Sequence, residues 1–481
     1  VKGFIGRNSV ILTLCNVIQF LVALNQSVFL AHSISSKYEY GLLQQIFLVG
    51  SLFATVGTAI PSTMSFFWGK SFHDETYKST FFQKYFLATI AVGLGTVLLQ
   101  LALRPVIAGY FGNPYFNTWT WYLAGYFLLK CINNYANGFY LLTNKLQHLL
   151  IINTVQLVLS IGWLLYAAHV TLPVAEIFVG LVVLELFRFV YLLKDSPQFI
   201  SFRHAFLAPI PREWKYLVTL MAVMLITMLN MQADRFIVSN MLGPVKYSDY
   251  AVGTFANPFI GLITGSLMTV LLPLFSKLYH EHNFPLIGRM WRRVNSRSCR
   301  LLLPLIVFTI FFGDKIILLI YPPKFENAAR LFQLYNIKFI FTVVIFGSII
   351  NAIGKEKWML LNAIINVITL STLCFLLIPV WGLDGAIFST IISTFIGYKL
   401  PVWLTKRYLH LSIKDYFPGR IFLQTLAVCC MISIVLKAGM IYLLPGKYII
   451  LLVTPVYMAF TYAYTLGVKR TLQQIRLMLK R

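Results

Sequence analysis

Residues Thr219 to Lys277 read TLMAVMLITMLNMQADRFIVSNMLGPVKYSDYAVGTFANPFIGLITGSLMTVLLPLFSK. Gly243-Pro244 divides the run into two apolar stretches. Each has the ~20 residues that a helix needs to cross roughly 30 Å of hydrocarbon. The first carries Asp234 and Arg235 near its far end. The second is preceded by Asp249-Tyr250 and is interrupted by Asn257-Pro258, Gly261 and Gly265. Charge within an apolar helix, or a break by Pro and Gly, is tolerated in a bilayer where the helix lines a cavity or bends. The stretch therefore predicts two membrane-crossing helices with a working face.

Outward from this pair, the whole chain has the same character. Of 481 residues, 58% are hydrophobic and only 11% charged, and the mean hydropathy is +0.76. The fold class expected is an all-α polytopic membrane protein. Fourteen spans are read at 8–32, 41–66, 80–103, 118–142, 147–170, 174–194, 214–240, 247–274, 298–320, 328–352, 357–379, 384–405, 420–442 and 448–468. The connections reach at most about 20 residues, too short to hold a soluble catalytic domain. The first apolar run is too long for a cleavable signal peptide and no small-residue cleavage site follows it.

The net charge of +25 raises the question of nucleic acid, but its distribution answers a different one. With the N-terminus inside, most Lys and Arg fall in cytoplasmic segments, as in Arg289, Arg292, Arg293, Arg297 and Arg300, or Lys469 and Arg470. That is the positive-inside pattern, and an even number of spans returns the C-terminus to the cytoplasm. No nucleic-acid partner is expected. The 6 cysteines and 8 histidines show no metal or redox spacing, so no metal site and no cofactor is expected.

An internal duplication organises the spans. At an offset of about 210 residues, Glu39-Tyr40 falls on Asp249-Tyr250, Lys145 on Lys355, and Ile177-Phe178 on Ile387-Phe388; Lys130 and Lys338 miss the register by two. The offset covers six spans, an even number, so both halves enter the membrane in the same direction. Two six-helix bundles, 1–195 and 214–410, form a parallel pseudo-repeat, with two extra C-terminal helices and a tail at 420–481.

Polar stripes mark the faces turned to protein or water. Span 1 has Asn16, Gln19 and Gln26; span 4 has Lys130, Asn133, Asn134 and Asn137; span 7 has Thr227, Asn230 and Asp234. Span 2 combines Ser51, Thr55, Thr58 and Ser62 with Pro61 as a kink, a pattern that helix packing also explains. Glu185 and Arg188, three apart, can pair on one helix. Asp234 and Arg235 are adjacent and face different sides, which leaves interface anchoring and a coupling role both open. Lys399 and Lys437 lie toward helix ends and can snorkel. Lys130 and Lys338 cannot: each lies roughly 15–18 Å along its span at 1.5 Å per residue. A buried cation there costs at least about 3 kcal/mol without a partner. One such lysine per half suits an anionic substrate such as a pyrophosphate.

Three segments resemble the Wzx-type oligosaccharide flippases of the multidrug/oligosaccharidyl-lipid/polysaccharide (MOP) superfamily. They are DRFIVSNMLGPVKYSDYAVG (Asp234 to Gly253), YPPKFENAARLFQLYNI (Tyr321 to Ile337) and IPVWGLDGAIFSTIIS (Ile378 to Ser393). The resemblance extends over essentially the whole chain and implies a non-enzymatic transporter of the bacterial cytoplasmic membrane with both termini inside. It implies that a polyprenyl-pyrophosphate-linked oligosaccharide is flipped by alternating access, for surface polysaccharide such as the O-antigen of lipopolysaccharide. Membrane lipid and other polysaccharide-assembly proteins are the further partners implied. Lys130, Lys338, Asn133, Asn134, Asn137, Asn16 and Gln19 are expected in the central cavity. Asp234, Arg235, Asn230, Asn257, Pro258 and Pro61 are the coupling or gating candidates. A peptidoglycan lipid-precursor flippase and a cation-coupled multidrug antiporter of the same superfamily are the near alternatives. A membrane-embedded glycan polymerase is the alternative of a different class, disfavoured by the short outer loops.

Overall fold

The structure, a computed structural model, describes residues 2–68, 75–170, 174–196, 211–255, 258–344, 350, 353, 356–443 and 449–466. Among these the secondary structure is helical, with no strand. The chain forms two compact units, 1–248 and 249–481. Eight helical runs among the described residues are long and apolar enough to cross a membrane. Many outward side chains are apolar: Leu98, Val106, Val380 and Val435 are each more than 60% exposed. Such surface suits hydrocarbon rather than water.

The first unit contains α1 (Lys2–Ser33), α2 (Lys37–Thr55), α3 (Ala59–Trp68), α4 (Glu75–Phe111), α5 (Phe116–Leu142), α6 (Leu146–Val170), α7 (Val174–Asp195) and most of α8 (Pro211–Gly253). Helix α5 is its axis, packed on α2, α3, α4, α6 and α7, while α1 packs along α6. Buried rings fill the centre; Phe82 meets Phe139 edge-on at 5.0 Å. In a bilayer this close packing, rather than escape from water, holds helices together.

Local chemistry sets the helix ends. Ser36 caps α2 by accepting from the Tyr38 N–H. After α4, Asn113 donates to the Leu42 carbonyl and to Gln45 Oε1, at 3.2 and 2.8 Å, fastening that turn to α2. Between α2 and α3 the helix tightens into a 3-10 turn at Val56–Thr58. Pro61, the third residue of α3, has no N–H to offer the carbonyl one turn back, and the tighter turn absorbs the defect.

The expected turn at Gly243 is present as an elbow inside α8, with φ 74° and ψ 176°, a conformation essentially confined to glycine. A second elbow, Gly382 with φ 57° and ψ −129°, interrupts α13 (Glu356–Gly397). Beyond it Gly385 abuts the Leu377 carbonyl, whereas a straight helix would hold those residues about 12 Å apart.

The second unit adds α9 (Pro258–His280), α10 (Phe284–Ile320), α11 (Glu326–Asn336), α12 (Lys338–Thr342), α13, α14 (Lys399–Leu409), α15 (Ile413–Tyr416), α16 (Gly419–Leu443) and α17 (Ile450–Leu466). Here α10 is the axis, packed on α9, α11, α15, α16 and α17. Trp291 of α10 stacks on Tyr416 at 4.1 Å. Asn295 donates to the Tyr416 carbonyl at 3.0 Å, and the Tyr457 hydroxyl donates to the Pro304 carbonyl at 3.0 Å. The last two helices are thus built into the second unit. Tyr40 and Tyr250, paired by the sequence offset, are both fully buried, each in its own unit.

Candidate functional site

Lys130 stands on the exposed side of α5. Its Nζ donates to the Tyr126 hydroxyl at 3.2 Å and lies 5.1 Å from the centroid of the same ring. The Tyr126 hydroxyl in turn donates to Gln26 Oε1 of α1 at 3.4 Å. Tyrosine and lysine are four residues apart, one helical turn, which places the ring beneath the ammonium.

Lys338 has a similar seat in the second unit. It is half-buried at the start of α12, where Ile337 separates α11 from α12. Its Nζ lies 3.5 Å from the centroid of Tyr335 and 5.2 Å from that of Phe339. Among the described residues neither lysine is ion-paired with a carboxylate. A cation over an aromatic face is steadied by about 0.5–2 kcal/mol and keeps its three N–H donors largely unused. That combination favours capture of an anion.

The other polar residues of span 4 separate by face. Asn133 is 1% exposed, and its Nδ2 donates to Glu185 Oε2 at 2.7 Å and to the Glu185 carbonyl at 3.1 Å. Asn133 is therefore turned into the bundle. Asn134 and Asn137 are half-buried; Asn134 lies beside Gly57 in the 3-10 turn. In span 1, Asn16 is exposed, whereas Gln19 donates to Asn153 Oδ1 at 2.8 Å and Gln156 Oε1 at 3.1 Å.

These bonds join into a network inside the first unit. Gln156 Nε2 donates to Glu185 Oε1 at 3.1 Å, and Arg188 Nη1 stands 3.6 Å from Glu185 Oε2. Glu185 and Arg188 are 5% and 6% exposed, so the pair expected from their spacing is present and buried. Its hub carboxylate links α5, α6 and α7, and Gln19 adds α1. Polar groups inside a bilayer need such partners.

Of the gating candidates, Asp234 is 2% exposed and its Oδ1 accepts from the Arg235 backbone N–H at 2.9 Å. Asn230 and Arg235 are half-buried on α8. Pro61 follows the 3-10 turn, and Pro258 is the first residue of α9. Asn257 lies outside the described residues.

The sequence missed two parts of this arrangement. The aromatic seats Tyr126 and Tyr335 were legible as residues one turn before each lysine. The roles of Asn153 and Gln156 follow only once α6 is laid against α1.

A family model described as "Polysaccharide biosynthesis protein" matches residues 70–330. The capsular polysaccharide biosynthesis protein CapF of Staphylococcus aureus is 22% identical over 181 residues, covering 37% of this chain and 46% of that protein. The match thus spans less than half the length of that relative. Among solved structures, the lipid II flippase MurJ in an inward closed conformation superposes with a TM-score of 0.70 at 16% identity, over 95% of this chain and 98% of that one. An inward-facing multidrug resistance MATE family transporter of the MOP superfamily gives a TM-score of 0.63 at 14% identity, over 82% and 94%. At these identities the structures show a shared fold.

Proposed function

The chain belongs to the polysaccharide biosynthesis protein family, and from that premise we propose that it flips a polyprenyl-pyrophosphate-linked oligosaccharide across the bacterial cytoplasmic membrane. The observation that carries the reading is the pair of lysines on aromatic seats, one in each unit, with no carboxylate paired to either among the described residues. A pyrophosphate needs cationic N–H donors, and a lysine held on a ring meets it without first breaking an ion pair.

In this account Lys130 and Lys338 bind the pyrophosphate. Asn16, Asn134 and Asn137 meet the sugars, while Gln19 and Asn133 hold the helices that present them. The prenyl tail stays in lipid. Fourteen spans in a parallel repeat, N- and C-termini cytoplasmic, fit the elbows at Gly243 and Gly382, each of which divides a run too long for one crossing. The bundles 1–195 and 214–410 would alternate between inward- and outward-open arrangements. Pro61, Asn257 and Pro258 would act as bending points, and Asp234 with Arg235 and Asn230 as the coupling group. The product would feed surface polysaccharide assembly, with other assembly proteins as partners. The likeness to capsular polysaccharide protein CapF supports that setting.

The test is reconstitution in vesicles with a fluorescent polyprenyl-pyrophosphate oligosaccharide and a membrane-impermeant quencher. Protein-dependent exposure of the label supports the reading; label protected equally in protein-free vesicles contradicts it. A peptidoglycan lipid precursor run in parallel separates the two flippase substrates, because both carry the pyrophosphate and differ in the headgroup beyond it.

A further inference from the structure

The second unit holds a cavity of about 350 Å³ that the translocation account does not use. Its wall is made by Ile340, Val344, Phe395, Val402, Phe417 and Phe422, drawn from α12, α13, α14 and α16 and the segments beside them. Its inner side is continuous with the buried cluster of Cys299, Leu302, Leu303 and Ile306 on α10. Phe341 and Phe395 meet edge-on at 5.6 Å, and Phe417 and Phe422 lie tilted at 5.6 Å, so rings flank the space. The size falls within the ~300–1,000 Å³ of small-molecule sites, and the lining would take hydrocarbon.

Among the described residues, the charged one that lines the cavity is Lys399, the first residue of α14. Further cations stand on the surrounding elements. Lys406 and Arg407 close α14, Lys414 lies in α15, and Arg420 opens α16. The neighbouring acid is already engaged: Asp415 Oδ2 accepts from the Ser412 N–H at 2.7 Å and from its hydroxyl at 2.9 Å. An apolar chamber with the Lys399 ammonium at its lining matches one membrane component in particular, a lipid with a hydrocarbon chain and an anionic phosphate. Basic pockets between membrane helices bind such headgroups.

We propose that this cavity is a binding site for an anionic phospholipid, one acyl chain inside it and the phosphate on Lys399. The occupant is a bulk membrane lipid that steadies the junction of α12, α14 and α16, distinct from the prenyl-linked substrate. The chain enters past Ile413, 46% exposed at the mouth. The phosphate remains at the rim, where Lys399 is exposed.

The test uses the full chain in nanodiscs of phosphatidylglycerol and phosphatidylethanolamine, with retained lipid counted by native mass spectrometry after extraction. Wild type is expected to retain phosphatidylglycerol in preference to phosphatidylethanolamine. Lys399→Gln should reduce that preference about fivefold, the effect of roughly one basic residue near an anionic headgroup. Val402→Trp, which fills the cavity, should abolish retention while leaving the rim charge in place; if it does not fold, Ile413→Trp blocks the mouth from an exposed position. Equal retention of the two lipids, or retention unchanged in both variants, would overturn the proposal. So would displacement of phosphatidylglycerol from wild type by a polyprenyl phosphate, which would make the cavity a seat for the substrate's tail. None of these outcomes depends on flipping activity.

Discussion

Asn133 of α5 donates its side-chain amide to Glu185 Oε2 at 2.7 Å, and through that bond α5 is locked to α7. The carboxylate also faces Arg188 and accepts from Gln156. Four helices thereby share one buried network.

Removing one member of a buried ion pair leaves the other without compensation, at about 3–5 kcal/mol. Glu185→Ala should therefore lower the melting temperature in detergent sharply. Glu185→Ala combined with Arg188→Met should recover a large part of the loss, since the orphaned charge is gone. A single variant as stable as wild type would show that the network contributes nothing to the fold.

The two aromatic seats differ in what they offer, and conservative variants separate them. Lys130 uses the Tyr126 hydroxyl, so Tyr126→Phe should weaken substrate binding several-fold by cutting the link to Gln26. Lys338 uses the face of Tyr335, so Tyr335→Phe should bind as wild type, while Tyr335→Leu should lose up to the ~0.5–2 kcal/mol of a cation–π contact. Binding titrations of the four proteins check the pattern. Equal effects of phenylalanine at both positions would contradict it.

Gly41, at the start of the second turn of α2, lies against the backbone of Pro244 just past the α8 elbow. A methyl group there meets backbone atoms rather than a movable side chain. Gly41→Ala should destabilise the first unit by the ~1–3 kcal/mol typical of overpacking, read as a lower melting temperature. An unchanged value would mean that α2 and α8 can part at no cost.

The helical class was plain in the sequence because apolar runs of spanning length leave few other folds. The elbow at Gly243 was equally visible, since Gly followed by Pro punctuates a helix. Tertiary partnership was harder to read. Asn133, Asn134 and Asn137 form one cluster in the sequence, yet Asn133 bonds within the bundle while Asn134, beside the 3-10 turn at Gly57, and Asn137 are half-buried. Spacing gives the turn on which a residue sits; only the helix laid against it decides whether its polar atoms are used. Glu185 and Arg188 were legible as a pair because both partners lie on one helix. Gln19 with Asn153 and Gln156 was not, because those partners are more than 130 residues apart. The apolar cavity beside Lys399 had no sequence signature, being assembled from separate helices.

Lys130 and Lys338, each on its aromatic seat, are proposed to recognise the substrate's pyrophosphate. The most direct measurement is native mass spectrometry of the purified protein with a polyprenyl-pyrophosphate-linked sugar, for wild type, Lys130→Ala, Lys338→Ala and the double variant. The account predicts weaker binding in each single variant, near-complete loss in the double variant, and unchanged melting temperatures throughout. Binding of wild-type strength in the double variant would contradict it and leave the two lysines without a role in recognition.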